Sequence, residues 1–127
     1  DPTLVARLLE VRKHAGLIMP RPVQAAVTAA LDDDEHIEVQ RERYARRRAV
    51  LRAALLGSRF EVEYSDAGLY LWTTRGEAAL DTVSWFADRG ILVAPGTFYG
   101  PSGARHVRIA LTATDERIDA AVARLAA

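Results

Sequence analysis

At Gly57 the apolar residues of this chain stop recurring every three to four positions and begin to alternate, and this change of period constrains the fold more than any other feature. Ahead of it lie three helical patterns. Asp1 to His14 places Leu4, Leu8 and Val11 on one face, with Pro2 at a position the first turn tolerates and Ala15-Gly16 as the end. After a connector, Leu17 to Pro20, the segment Pro22 to Leu31 carries Val23, Ala26, Val27 and Ala30, a stripe of small residues suited to close packing. The third helix is expected to start in Asp32-Asp33-Asp34-Glu35, whose carboxylates complement the positive end of a helix dipole. It runs to Leu56 and stops at Gly57, with Ile37, Tyr44, Ala45, Leu51 and Leu55 approximating one face.

Beyond Gly57, Phe60, Val62 and Tyr64 interleave with Glu61 and Glu63, which predicts a strand with one wet face. Ser65-Asp66-Ala67-Gly68 is a turn, and Leu69 to Thr73 a second strand that completes an antiparallel hairpin. Leu80, Val83, Phe86 and Ala87 mark a helix ended by Gly90. Ile91 to Ala94 is short and continuously apolar, which predicts a strand buried on both faces. The last strand, His106 to Thr112, sends Val107, Ile109 and Leu111 to one side and Arg108, Ala110 and Thr112 to the other. Thr114 or Asp115 can cap a final helix in which Ile118, Ala121, Val122 and Leu125 continue the core. The expected fold class is α/β, more closely an α+β two-layer sandwich: a helical lead-in, then a mixed sheet of about four strands packed by helices. At 127 residues the chain is long enough to bury roughly two thirds of its unfolded surface around one core.

Several function classes lose support at this level. Lys and Arg number 17 against 17 Asp and Glu, so the formal charge is zero and the broad basic footprint of a nucleic-acid binder is missing. Arg41, Arg43, Arg46, Arg47 and Arg48 interleave with Glu38 and Glu42, the pattern of a solvated helix face. With no cysteine, disulfides and thiolate-held metal are excluded. His14, His36 and His106 lie far apart without ligand spacing, so no metal is expected. No apolar run approaches the roughly 20 residues that span a bilayer, and the start of the chain lacks a secretory-signal pattern; a cytoplasmic setting is expected. The serines lack a nucleophile-elbow motif. Sixteen arginines stand against one lysine, so covalent amine chemistry rests on Lys13 or is absent.

One residue invites a binding role. Arg108 sits in the middle of an apolar strand with small neighbours at 110 and 112, and its planar fork matches a carboxylate in two parallel hydrogen bonds. Either a ligand anion or an internal Asp or Glu can meet it. In the preceding loop, Gly96, Gly100 and Gly103 permit unusual backbone angles, while Phe98 and Tyr99 can supply a substrate wall. Neither a Walker loop nor a dinucleotide fingerprint accompanies these glycines.

Three segments taken together, Asp66-Ala-Gly-Leu-Tyr-Leu-Trp72, Arg89-Gly-Ile-Leu-Val-Ala-Pro-Gly-Thr-Phe-Tyr-Gly100 and His106-Val-Arg-Ile-Ala-Leu111, resemble the C-terminal part of class I/II aminotransferases, fold-type I enzymes dependent on pyridoxal phosphate. Asp1-Pro-Thr-Leu-Val, Arg12 to Pro20 and Pro22 to Leu31 resemble the segment downstream of that family's cofactor lysine, so the likeness extends over the whole chain. Among subfamilies it is most similar to actinobacterial succinyldiaminopimelate transaminases.

The resemblance implies that residues 1–33 are the helical trailing part of the large cofactor domain and 34–127 the C-terminal small domain. Arg108 then grips the substrate's α-carboxylate, with Phe98 and Tyr99 near the pocket. It implies a parent that moves an amino group between N-succinyl-diaminopimelate and 2-oxoglutarate or glutamate in lysine biosynthesis, acting as a homodimer with active sites at the subunit boundary, which the Gly16 to Arg21 connector reaches. The Schiff-base lysine, the partner of the pyridine nitrogen and most of the phosphate cradle lie upstream in the family's order, and Lys13 is no replacement. Hence no catalytic or cofactor-binding residue is expected here, and the chain is read as a C-terminal fragment, inactive without a missing N-terminal large domain. A non-enzymatic amino-acid-binding regulatory module is the alternative.

Overall fold

The computed structural model describes residues 1–126, and the chain divides into two compact units, Asp1–Glu38 and Val39–Ala127. The first holds α1 (Pro2–His14) and α2 (Arg21–Leu31). Asp1 caps α1, its carboxylate accepting from the Thr3 amide at 2.8 Å. The acidic run caps likewise: Asp33 accepts from the Glu35 and His36 amides at 3.1 and 3.3 Å. Those amide bonds, led by that of His36, hold the Asp33 carboxyl below its ordinary value. The close packing expected of the small-residue stripe is not formed, because neither α1 nor α2 buries a residue. Val23 and Val27 stay almost half exposed.

In the second unit α3 (Glu35–Gly57, which begins before the boundary) ends in a way the sequence did not suggest. Gly57 remains helical, and the residue that turns left-handed is Arg59, at φ 65°. The amides of Phe60 and Arg59 then reach back to the carbonyls of Leu55 and Leu56, the paired bonds of a Schellman end. Phe60 is thereby delivered into the core, 3% exposed.

Four strands follow: β1 (Glu61–Glu63), β2 (Tyr70–Thr74), β3 (Ala94–Pro95) and β4 (His106–Ala110), in spatial order β1-β2-β4-β3. Every pairing is antiparallel, so the sheet is not mixed as expected. The reason is topological. Helix α4 (Ala79–Ala87) carries the chain from β2 to β3 in the same direction, but β4 enters between them and separates the two strands that would have been parallel neighbours. The strand expected over Ile91 to Ala94 shrinks to its last residue and Pro95. Its burial is one-sided, with Val93 7% and Leu92 96% exposed, as suits an edge rather than an interior position. Tyr64 also leaves its expected strand: it turns left-handed at φ 47° and ends β1.

The pleat of this sheet decides what each face does. Leu71, Thr73, Val107 and Ile109 point to one side, each no more than 6% exposed. There the apolar members of that set meet Leu51 and Leu55 of α3, Phe86 of α4, and Ile118 and Leu125 of α5 (Asp115–Ala126) in one core. Each such burial stabilises by about 1.5–3 kcal/mol. The other side carries Glu63, Tyr70, Trp72, His106 and Arg108 and is the wetter face.

Candidate functional site

The register places Arg108 opposite Trp72 on β2 and Ala94 on β3, so a charged residue lies between an aromatic and a methyl group at the centre of the sheet. Its side chain leans along the diagonal instead of across. The guanidinium carbon lies 4.0 Å from the Tyr70 ring centroid and 4.9 Å from that of Tyr99. Trp72 is taken by another neighbour: the His106 ring stacks on it at 5.1 Å and 8°, and His106 Nε2 lies 3.3 Å from Glu63 Oε2.

A depression of about 400 Å³ opens beside this arginine, lined by Tyr64, Ser65, Leu69, Tyr70, Trp72 and Tyr99 together with backbone around Gly68. Ser65 shapes its floor, accepting from the Trp72 amide at 2.9 Å and donating to the Glu63 carbonyl at 2.7 Å where β1 has ended. A larger groove of about 670 Å³ lies between α5 and Gly90–Leu92, walled by Leu51, Phe86, Ile118 and Leu125 of the core. The larger groove is also lined by Arg117 and Arg124, whereas Arg108 and its tyrosines line the smaller one.

The glycine-rich loop forms the second wall through two 3-10 turns, Gly96–Tyr99 and Pro101–Gly103. A Cβ on Gly103 would stand 2.1 Å from the Gly96 carbonyl oxygen, and one on Gly96 would stand 2.3 Å from that of Gly103. Close approach, not backbone angle, requires glycine at both. This folding brings Tyr99 edge-on to Trp72 at 5.9 Å. It does not bring Phe98 in, which is 76% exposed and absent from the depression. Of the three residues singled out, Arg108 and Tyr99 are together and Phe98 is apart. Tyr70, Trp72 and Ser65 went unnoticed as site residues, although Tyr70 and Trp72 alternate with Leu69 and Leu71 and so signalled an aromatic outer face.

Chemically, Arg108 is half-buried, and among the described residues no carboxylate or carbonyl accepts from it; its Nε is buried without a partner. Arg48 and Arg75 also bury an unpaired nitrogen, but Arg48 donates to the Gly68 carbonyl and Arg75 lies 3.5 Å from Glu77. Arg108 has only rings beside it, so its donors can take a planar anion such as a carboxylate. The arginines of α3 divide differently from the expected solvated face. Arg47 is 7% exposed, donating to Asp115 at 2.6 Å and to the Leu111 carbonyl at 3.0 Å. That bond from Arg47, with Arg46 at 2.8 Å, holds the Asp115 carboxyl below its ordinary value. Among the described residues no three His, Asp or Glu side chains gather as metal ligands, and no helix is long and apolar enough to cross a membrane.

Comparison with known proteins gives a consistent picture. A probable aminotransferase of Mycobacterium tuberculosis is 67% identical over 125 residues, covering 98% of this chain and 30% of that protein. The 4-dedimethylamino-4-oxo-anhydrotetracycline transaminase OxyQ of Streptomyces rimosus is 64% identical over 125 residues, covering 98% and 35%. The chain thus spans about a third of the length of these relatives. The solved N-succinyldiaminopimelate aminotransferase of Mycobacterium tuberculosis superposes with a TM-score of 0.78 at 21% identity, over 99% of this chain and 35% of that one, and shares its fold. Residues 3–125 match the family described as aminotransferase class I and II, and the chain belongs to that family.

Proposed function

We propose that the whole protein transfers an amino group between an amino acid and a 2-oxo acid, and that Arg108 holds the substrate's α-carboxylate. The observation that carries this is a half-buried guanidinium in the central part of the sheet, with no anionic partner among the described residues, facing a depression of ligand size. Members of the family depend on pyridoxal phosphate, which when bound supplies an electron sink for the bonds at the substrate's α-carbon. We read its attachment as belonging to the rest of the protein. Lys13, the one lysine of the chain, is exposed and lies 3.6 Å from Glu10. What this chain contributes is recognition: Arg108 binds and orients, and Tyr99 and Trp72 wall the depression. Phe98 belongs to the proposed site only through the family likeness, which gives it a position near the substrate pocket.

The domain reading follows the same line, with residues 1–33 as the trailing part of a large cofactor domain and 34–127 as the small domain of a homodimeric enzyme. The exposed apolar faces of α1 and α2 support a covering surface supplied by the rest of that protein. The finer substrate assignment, N-succinyl-diaminopimelate with 2-oxoglutarate or glutamate, rests on the motifs shared with succinyldiaminopimelate transaminases. The name of OxyQ favours a second reading, a polycyclic ketone as amino acceptor. In both, an amino-acid donor presents a carboxylate to Arg108.

Kinetics on the full-length protein test the assignment. Arg108→Ala is expected to lower kcat/KM for glutamate by roughly 10- to 150-fold, the equivalent of about 1.5–3 kcal/mol for hydrogen bonds to a charged group. An unchanged value sinks the carboxylate role. Rates with the two acceptors separate the substrate readings. Tight glutamate binding by residues 1–127 alone, without pyridoxal phosphate, would favour a binding module instead.

A further inference from the structure

We infer that Tyr70 is a positioning residue, an aromatic support that holds the Arg108 guanidinium in place while leaving its charge uncompensated. The inference rests on the carboxylate role given to Arg108 above and goes beyond it to ask what orients that side chain. An arginine aimed at a ligand needs something to fix its long, flexible stem, because an unrestrained fork loses side-chain entropy on binding. A carboxylate is the usual support. It would also neutralise the fork and compete with the incoming anion, so a site that must bind carboxylates gains from a support with no negative charge of its own.

The geometry meets that requirement through the register of β2 and β4. Tyr70 opposes Ala110, whose methyl leaves the space above it open for the Arg108 side chain to lean in from two positions away. The alternative ring, Trp72, lies directly opposite Arg108 but is occupied by the stacked His106. Arg108 therefore settles over Tyr70 at 4.0 Å, the closer of its two aromatic contacts, while Tyr99 closes at 4.9 Å. Such a contact is electrostatically attractive through the ring face and does not consume an N–H donor. Glu63, the nearest acid of this face, is held by His106 and not by the arginine. The ring face is what matters here, so phenylalanine should serve and an aliphatic side chain should not.

Calorimetric titration of glutarate, a non-reacting dicarboxylate, into the full-length protein tests this with Tyr70→Phe, Tyr70→Leu, Tyr70→Thr and Arg108→Ala. Tyr70→Phe is expected to stay within about twofold of the unaltered protein, and Tyr70→Leu to weaken binding roughly five- to tenfold. Tyr70→Thr keeps strand propensity and gives the same answer should the leucine variant fail to fold. In amino-transfer kinetics the loss should fall on KM for glutamate, with kcat little changed, and be rescued by phenylalanine. If both aliphatic and hydroxyl variants bind glutarate as tightly as the phenylalanine variant while Arg108→Ala loses it, the support role of Tyr70 is overturned and the carboxylate site stands. If Arg108→Ala itself binds normally, the carboxylate reading fails and the inference with it.

Discussion

Arg47 and Arg108 are both withdrawn from solvent in the same compact unit, yet the protein supports them by opposite means. Arg47 is sealed: Asp115 takes its Nε, the Leu111 carbonyl takes an Nη1, and Arg46 joins the same carboxylate. Arg108 is propped between tyrosines and has no acceptor among the described residues. The difference separates an arginine used to join α3 to the start of α5 from one whose hydrogen-bonding capacity is kept for something else. Charge does not distinguish the two, and the deeper burial of Arg47 does not say why; the identity of the neighbour does.

Substitutions should separate the two arginines by effects of graded size. The largest effect should come from Gly103→Ala, which drives a Cβ into the Gly96 carbonyl and forces the loop to move. Unfolding in urea should show a loss of roughly 3 kcal/mol, and glutarate binding should weaken as Tyr99 shifts, although neither arginine is touched. Arg47→Ala should cost about 2–3 kcal/mol of stability, leaving the Leu111 carbonyl unsatisfied, with the glutarate affinity of the folded protein unchanged. Arg108→Ala should do the reverse: stability within about 0.5 kcal/mol in the same urea experiment, and the loss confined to carboxylate recognition. A stability loss as large as that of Arg47→Ala would show that the two roles are not distinct.

The smallest effect is the acid response. Because the folded-state pKa of Asp115 is depressed, its stabilising contribution is complete above the ordinary carboxyl value of 3.8 and is lost as pH falls below it through the lower folded value. Thermal melts from about pH 5 downward should therefore lose less stability in Asp115→Asn than in the unaltered protein, whereas Arg108→Ala should not change the acid slope.

The hairpin, the final helix and the alternation of β4 were legible in the sequence because each is a local pattern with its own period. So was the prominence of Arg108, a charge at a position where the pleat calls for a wet face in a mostly apolar strand. What was not legible depended on distant partners. The order β1-β2-β4-β3, and with it the wholly antiparallel sheet, follows from β4 entering between two strands, which no local spacing encodes. The left-handed Arg59 ends α3 where Gly57 seemed the natural stop, since capping there is fixed by Phe60 finding the core. Tyr70 and Tyr99, 29 positions apart, meet one guanidinium only through tertiary register, and Phe98, beside Tyr99 in sequence, turns outward for the same reason. Arg47 was misread because a basic run does not reveal which member faces Asp115.

The place of β4 between β2 and β3 fixes how firmly Arg108 is held. Arg108 pairs with Trp72 on one side and Ala94 on the other, so its backbone cannot swing out unless two hydrogen-bonded ladders separate together. The β2–β4 ladder joins residues 32 to 40 positions apart, from Thr74 with His106 to Tyr70 with Ala110, so the chain must close a long loop before it can form. Amide hydrogens of Val107 and Ile109 should accordingly exchange only when the whole unit opens. The hold on Arg108 is as durable as the sheet, and its stiffness comes from the same strands that carry the core on their reverse side.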